Sequence, residues 1–213
     1  MISYNLSIYF LYKNMKKLNS LQVEQILRKK QISFFTPRDF MRLFGAPLIS
    51  VNSFLNRHTK NGIFIKVRNG LYLFKENSPP KFLIANKLYE PSYISFETAL
   101  SYYHIIPETI YTIFSATTKA SREYGALDTR FIYHRIKKSY FHGYEPKIIN
   151  NLTVYMAEPE KALIDYLYFV DLKKKNMNIR INTAPLSYKK LLAMAKSFNR
   201  KNLLTLINQL YVK

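Results

Sequence analysis

The chain has 213 residues, 48% of them hydrophobic, enough for one large or two small domains with real cores, which excludes a disordered chain. Lys and Arg number 33 against 13 acidic residues, a net charge of +20, so the expected partner is a polyanion, nucleic acid ahead of an acidic membrane surface. There is no cysteine, so disulfides, thiolate metal sites and cysteine nucleophiles are excluded, and the composition fits a cytoplasmic protein.

The opening MISYNLSIYFLY is apolar and uncharged, and Lys13, Lys16 and Lys17 follow it. A signal peptide needs its charge first and a small-residue cleavage site after the apolar run. No run approaches the roughly 20 apolar residues of a membrane span, so no membrane association is expected. Met15 begins MKKLNSLQVEQIL in the manner of a natural start, and residues 1–17 read as an N-terminal extension.

Residues 18–76 read as one domain. In LNSLQVEQILRKK, Leu21, Ile26 and Leu27, with Val23 beside them, give a helical stripe, and Ser20 and Glu24 sit one residue off capping-box spacing. In FFTPRDFMRLFGAP, Thr36 suits an N-cap, Pro37 a first helical residue and Gly45 a stop. LISVNSFLNRHTKNG predicts a third helix over 48–60 with Ser50 as N-cap and Val51, Phe54 and Leu55 facing inward. NGIFIKVRNGLYLF then reads as a hairpin turning at Arg68-Asn69-Gly70, since Asn and Gly both tolerate positive φ.

Helix, helix, turn, helix and hairpin is the order of a winged helix-turn-helix. The third helix would read a major groove, and the basic hairpin tip would lie on the phosphate backbone or in a minor groove. Asn52, Ser53, Asn56 and Arg57 are the expected base or near-base contacts, of the side-chain types that read base edges. Arg38, Lys66, Arg68 and Asn69 are the expected backbone contacts, and Ser50 and Lys60 complete the DNA-binding set. Residues 1–78 hold 13 basic and 3 acidic residues, against 20 and 10 in the rest, so the smaller part is denser in positive charge. The competing reading is a protein-interaction module with a merely solvated Asn/Ser face.

The polar, proline-containing stretch 77–81 reads as a linker. Residues 82–213 read as a mixed α/β domain with a small sheet and closing helices, so the whole chain is expected to be α+β. Strands are expected over 111–118, 130–136 and 152–157, with EYGALDT as a loop. Helices are expected from Ser95, from Pro159 and from Ser187, and over RKNLLTLINQLY. Glu160 and Lys161 read as a helix-start pair, and Asp165 lies at i, i+4 from Lys161. Arg122, Arg130, Arg135, Lys137 and Lys138 are candidates for a second basic patch. His58, His104, His134 and His142 show no metal-ligand spacing, and no nucleotide-binding glycine loop or hydrolase elbow occurs. The carboxylates Glu97, Glu108, Asp128, Glu158, Glu160 and Asp165 do not form a nuclease pattern, so catalysis, metal and cofactor are not expected.

PSYISFETALSYYHIIPETIYTIFSATT, followed by RFIYHRI, FHGYE and MAEPEKALIDYLY, resembles the AbiEi-like antitoxins and regulators of bacterial abortive-infection systems. The matching positions are Pro91–Ser95, Ser101–His104, Ile106–Glu108, Thr117–Thr118 and Pro159–Leu163, and the N-terminal TPRDF and NGIFIKVRNGLYLF resemble that family's winged helix. The resemblance implies a transcriptional regulator that binds inverted repeats in the promoter of its own operon. It also implies functional pairing with a nucleotidyltransferase-like toxin without a stable complex. The alternatives are a stand-alone transcription factor or interaction module and, further off, a nucleic-acid enzyme.

Overall fold

The structure, a computed structural model, describes residues 18–212. The extension expected over residues 1–17 lies outside the described residues. The fold is mixed α+β with two sheets and, among the described residues, eight α-helices. The chain divides between Pro79 and Pro80 into two compact units.

In the first unit, α1 spans Ser20–Lys29. Asn19 caps it, accepting from the Gln22 N–H, while the Ser20 hydroxyl donates to Glu24 Oε1 at 2.8 Å. Val23 and Leu27, one turn apart, are the buried pair. Leu21, expected inside, is 65% exposed because it lies nearly opposite Val23 around the helix. A short strand, β1 (Phe34–Phe35), leads into α2 (Pro37–Phe44). Thr36 Oγ1 accepts from the Asp39 N–H at 3.1 Å, and the Asp39 carboxylate accepts from the Thr36 N–H at 2.9 Å. The Thr36 hydroxyl and N–H hold the Asp39 carboxyl below its ordinary value. Gly45 ends α2 at φ +64°, a conformation other residues adopt with strain.

The third helix, α3, spans Leu48–Lys60. Ser50 is not its cap. Pro47, with extended backbone (φ −61°, ψ 148°), already occupies that position, so Ser50 lies inside the first turn. β2 (Phe64–Arg68) and β3 (Leu71–Phe74) form the hairpin, and β1 adds to β3, giving the antiparallel order β1-β3-β2. Only Gly70, at φ +73°, takes the positive-φ conformation expected of both turn residues. The register shifts between Lys66 and Arg68, and this bulge supplies the bend that a symmetric turn would have provided. It also turns Val67 inward, 3% exposed, between two exposed cations. Phe40, 0% exposed, centres the core, with ring centroids 5.1, 5.8 and 6.0 Å from Phe35, Phe54 and Phe64.

The second unit is built on a six-stranded sheet. Its strands are β4 (Ser92–Ile94), β5 (Ile113–Thr117), β6 (Arg122–Ala126), β7 (Thr129–Arg135), β8 (Tyr144–Ile149) and β9 (Leu152–Ala157), in the order β6-β7-β5-β4-β9-β8. The β5–β7 and β4–β9 pairs are parallel and the others antiparallel. Its helices are α4 (Lys81–Leu88), α5 (Phe96–Tyr102), α6 (Pro159–Asp171), α7 (Tyr188–Ser197) and α8 (Lys201–Tyr211). Successive strand residues face opposite sides. The Tyr133 hydroxyl donates to Ala85 O of α4 at 2.6 Å, whereas the neighbouring His134 ring lies 5.0 and 4.8 Å from the Phe96 and Phe169 rings of α5 and α6. Thus α4 covers one face and α5 with α6 the other.

The three expected strands are present, and β4, β6 and β8 are additional. Most of the expected loop EYGALDT is β6, which turns back through Leu127 and Asp128, both at positive φ. Asn150 and Asn151 make the same kind of turn between β8 and β9. Pro146 sits within β8 opposite Tyr155. The Tyr155 N–H and C=O both bond to the Asn86 side chain, at 2.7 and 3.2 Å, and therefore point away from β8. At such a position the partner residue's N–H would face outward, so the proline forfeits no ladder bond.

Candidate nucleic-acid interface

With Val51, Phe54 and Leu55 turned into the core, helical geometry leaves Asn52, Ser53, Asn56, Arg57 and Lys60 on the outside, and all five are exposed. Asn52, Ser53, Asn56 and Lys60 recur at helical spacing and share a face. Ser50 is half-buried at its upper end. Ile49, 74% exposed, precedes Asn52 by three and Ser53 by four, so it joins that face. Sequence reasoning missed it, although an isoleucine outside the Val51–Phe54–Leu55 stripe was the available signal. His58 lies on the inner flank, its ring 4.1 Å from Phe54, and burial, then the neighbouring Arg57 charge, hold it below its ordinary value. It therefore adds no charge near neutral pH.

The short turn after Lys60 leads directly into β2. Lys66, Arg68 and Asn69 are exposed at the hairpin's end, and the Arg68 guanidinium donates to Asn69 O at 3.0 Å, folding over the turn. Arg38 is exposed in the first turn of α2, and Arg42, not singled out from sequence, is exposed in its last. Residues 45–75 contain five cations and no carboxylate. The acidic residues of this unit are engaged elsewhere. Glu24 and Glu76 pair with Arg28 at 3.5 and 2.6 Å, and Asp39 closes its capping box. No carboxylate of their own segment opposes the positive field of α3 and the hairpin, although the Glu24 charge acts on His58 at the inner flank of α3.

In the second unit, the residues that carried the family resemblance converge on one buried point. The Tyr93 and Ser95 hydroxyls donate to Asp165 Oδ2 at 2.9 and 2.8 Å, and Lys161 Nζ pairs with Oδ1. Lys161 and Asp165 are both 0% exposed. Burial, then the Asp165 charge, push the Tyr93 phenol well above its ordinary value, which keeps it a donor. Gly143, at φ +73°, makes room here, since a Cβ would stand 3.2 Å from Lys161 Cγ. Glu160 and Lys161 both lie in the first turn of α6, as expected; Lys161 pairs with Asp165, while Glu160 accepts from the Ser187 N–H and pairs with Lys190. The cluster is closed to solvent and bonded internally, so its chemistry is structural.

The other titratable groups are dispersed. Among the described residues no three His, Asp or Glu side chains are grouped to hold a metal ion, and no helix is long and apolar enough to cross a membrane. His134 is enclosed by Phe96, Phe114 and Phe169, and burial, then Lys175 and Lys174, lower its pKa to about 4. Of the candidate second basic patch, Arg130 is paired with Glu123 at 2.7 Å, while Arg122 and Lys137 lie over the Tyr89 and Tyr140 rings. Comparison of the sequence with models of known protein families and with curated proteins finds no match.

Proposed function

We propose that residues 18–76 form a winged helix-turn-helix that binds double-stranded DNA, and that the protein is a cytoplasmic transcriptional regulator acting by binding, without a cofactor. The observation that carries this reading is the carboxylate-free run 45–75, which sets an exposed amide and hydroxyl face beside five cations. α3 enters the major groove, where Asn52, Ser53, Asn56 and Arg57 meet base edges and Ile49 meets a thymine methyl group. Ser50 and Lys60 at the ends of the helix, Arg38 on α2, and Lys66, Arg68 and Asn69 on the wing hold the phosphates.

The resemblance to AbiEi-like regulators extends the proposal: an antitoxin that represses its own operon through inverted repeats and pairs functionally with a nucleotidyltransferase-like toxin without a stable complex. The meeting of Tyr93, Ser95, Lys161 and Asp165 supports it, because residues far apart in the motif share one structural reason.

Fluorescence anisotropy with the DNA upstream of the gene, against a scrambled duplex across a salt series, tests the reading. The expected result is promoter-selective binding. Arg57→Ala should cost about 1–3 kcal/mol of discrimination, and Arg68→Ala should weaken both duplexes and flatten the salt slope by about 0.9. Equal affinity for both duplexes would mean that the charge is only non-specific attraction, and the first unit would then be a protein-interaction module.

A further inference from the structure

At the β8–β9 end of the sheet, Tyr155 and Thr153 of β9 are exposed. A groove of about 520 Å³ opens there between α4 and the two strands, within the range of small-ligand sites. Its wall is aromatic, formed by Phe141, Tyr144 and Tyr155. Tyr155 is 47% exposed and lies edge-on to Tyr144 (6.1 Å, 84°), which stacks at 4.5 Å on the buried Tyr93. The two bonds from Asn86 fix the Tyr155 main chain, so its ring is presented from a rigid strand. Ser92 also lines the groove; it is 8% exposed, with its hydroxyl enclosed beneath the surface. Lys87 and Glu90, paired at 3.0 Å and both exposed, stand at the rim.

We propose that this groove binds a nucleobase. The base stacks on Tyr155 with Tyr144 edge-on beside it, the Glu90 carboxylate meets its polar edge, and Lys87 meets the attached phosphate. An aliphatic ligand would use the aromatic wall but not the Lys87–Glu90 pair at the rim, whereas a nucleotide base offers a π face and polar edge atoms together. The 20 basic residues against 10 acidic ones in this part of the chain favour an anionic ligand. The base belongs either to a free nucleotide or to an unpaired position in a strand, since a base stacked inside a duplex cannot reach such a site. The inference does not depend on duplex binding by the first unit.

The test uses the full chain carrying Arg57→Ala and Arg68→Ala, which suppresses that unit's contribution. Nucleoside 5′-monophosphates, short single strands and an abasic strand of equal length are titrated by calorimetry. Base-containing ligands should bind more tightly than the abasic strand. Tyr155→Ala should weaken them roughly 5- to 100-fold, the loss of one base–aromatic stack, and Tyr155→Phe should retain them. Thr153→Trp, which fills the groove from an exposed position, should abolish binding with Tyr155 intact. Saturation by monophosphates identifies a nucleotide site, and binding of strands alone identifies a single-strand site. Absence of binding, equal affinity for the abasic strand, or affinity unmoved by Thr153→Trp overturns the proposal.

Discussion

Replacing Asp165 by alanine should nearly unfold the second unit. Lys161 and Asp165 are both fully enclosed, so the substitution strands an ammonium group that neither water nor another carboxylate reaches. Breaking one side of such a pair costs about 3–5 kcal/mol. The Tyr93 and Ser95 hydroxyls lose their acceptor as well, at about 1–3 kcal/mol each when left unpaired. These losses overlap, so a total of roughly 4–7 kcal/mol is expected, comparable with the whole stability of a domain. Thermal unfolding followed by the near-ultraviolet dichroism of the tyrosines reads the loss, and a melting point lower by about 15 °C or more is expected. The double variant Lys161→Met, Asp165→Leu removes both charges and should recover the part of the loss that belongs to the stranded ammonium, about 3–5 kcal/mol, while the Tyr93 and Ser95 hydroxyls stay unpaired. A single variant that loses less than about 1 kcal/mol, or a double variant no better than the single, would refute the argument.

Three further outcomes follow from the same geometry. Phe40→Ala, at the centre of the first unit's aromatic core, should cost about 3–5 kcal/mol of that unit's stability in denaturant titration. Gly143→Ala should cost about 1–3 kcal/mol by combining positive-φ strain with contact against the Lys161 stem, measured in the same way. His134 binds a proton less readily when folded, since burial and the lysines bring its pKa from 6.5 to about 4. The unfolded chain therefore takes up the extra proton, and this contribution to stability is present above pH 6.5 and lost as pH falls toward 4. His134→Phe should flatten that limb of the stability–pH curve.

The first unit was largely legible because its signals are local. Thr36, Pro37 and Gly45 bracket one helix, and the Val51–Phe54–Leu55 spacing orients the next. The misreadings there, Ser50 as a cap and Leu21 as core, came from residues whose local propensity was outweighed by a neighbour, Pro47 in one case and Val23 in the other. In the second unit, half of the strands escaped notice. β8 was hidden by a proline that costs nothing at its particular register, and β6 by a Leu-Asp turn lacking glycine. The Lys161–Asp165 spacing was readable as a helical pair. Its complete burial was not, since that depends on Tyr93 and Ser95 arriving from 72 and 70 residues away.

The placement of Pro146 bears on what happens between molecules rather than within one. The six-stranded sheet ends at β8 and β6, and an open strand edge is a template on which another chain can polymerise. Pro146 deletes a donor from the outer edge of β8, while β6 carries the exposed charges Arg122 and Glu123. Both borders are thereby made poor templates for edge-to-edge aggregation. If two copies associate on a palindromic operator, the contact should use another surface, and Pro146→Val should favour assembly by strand addition, visible as growing light scattering at high protein concentration.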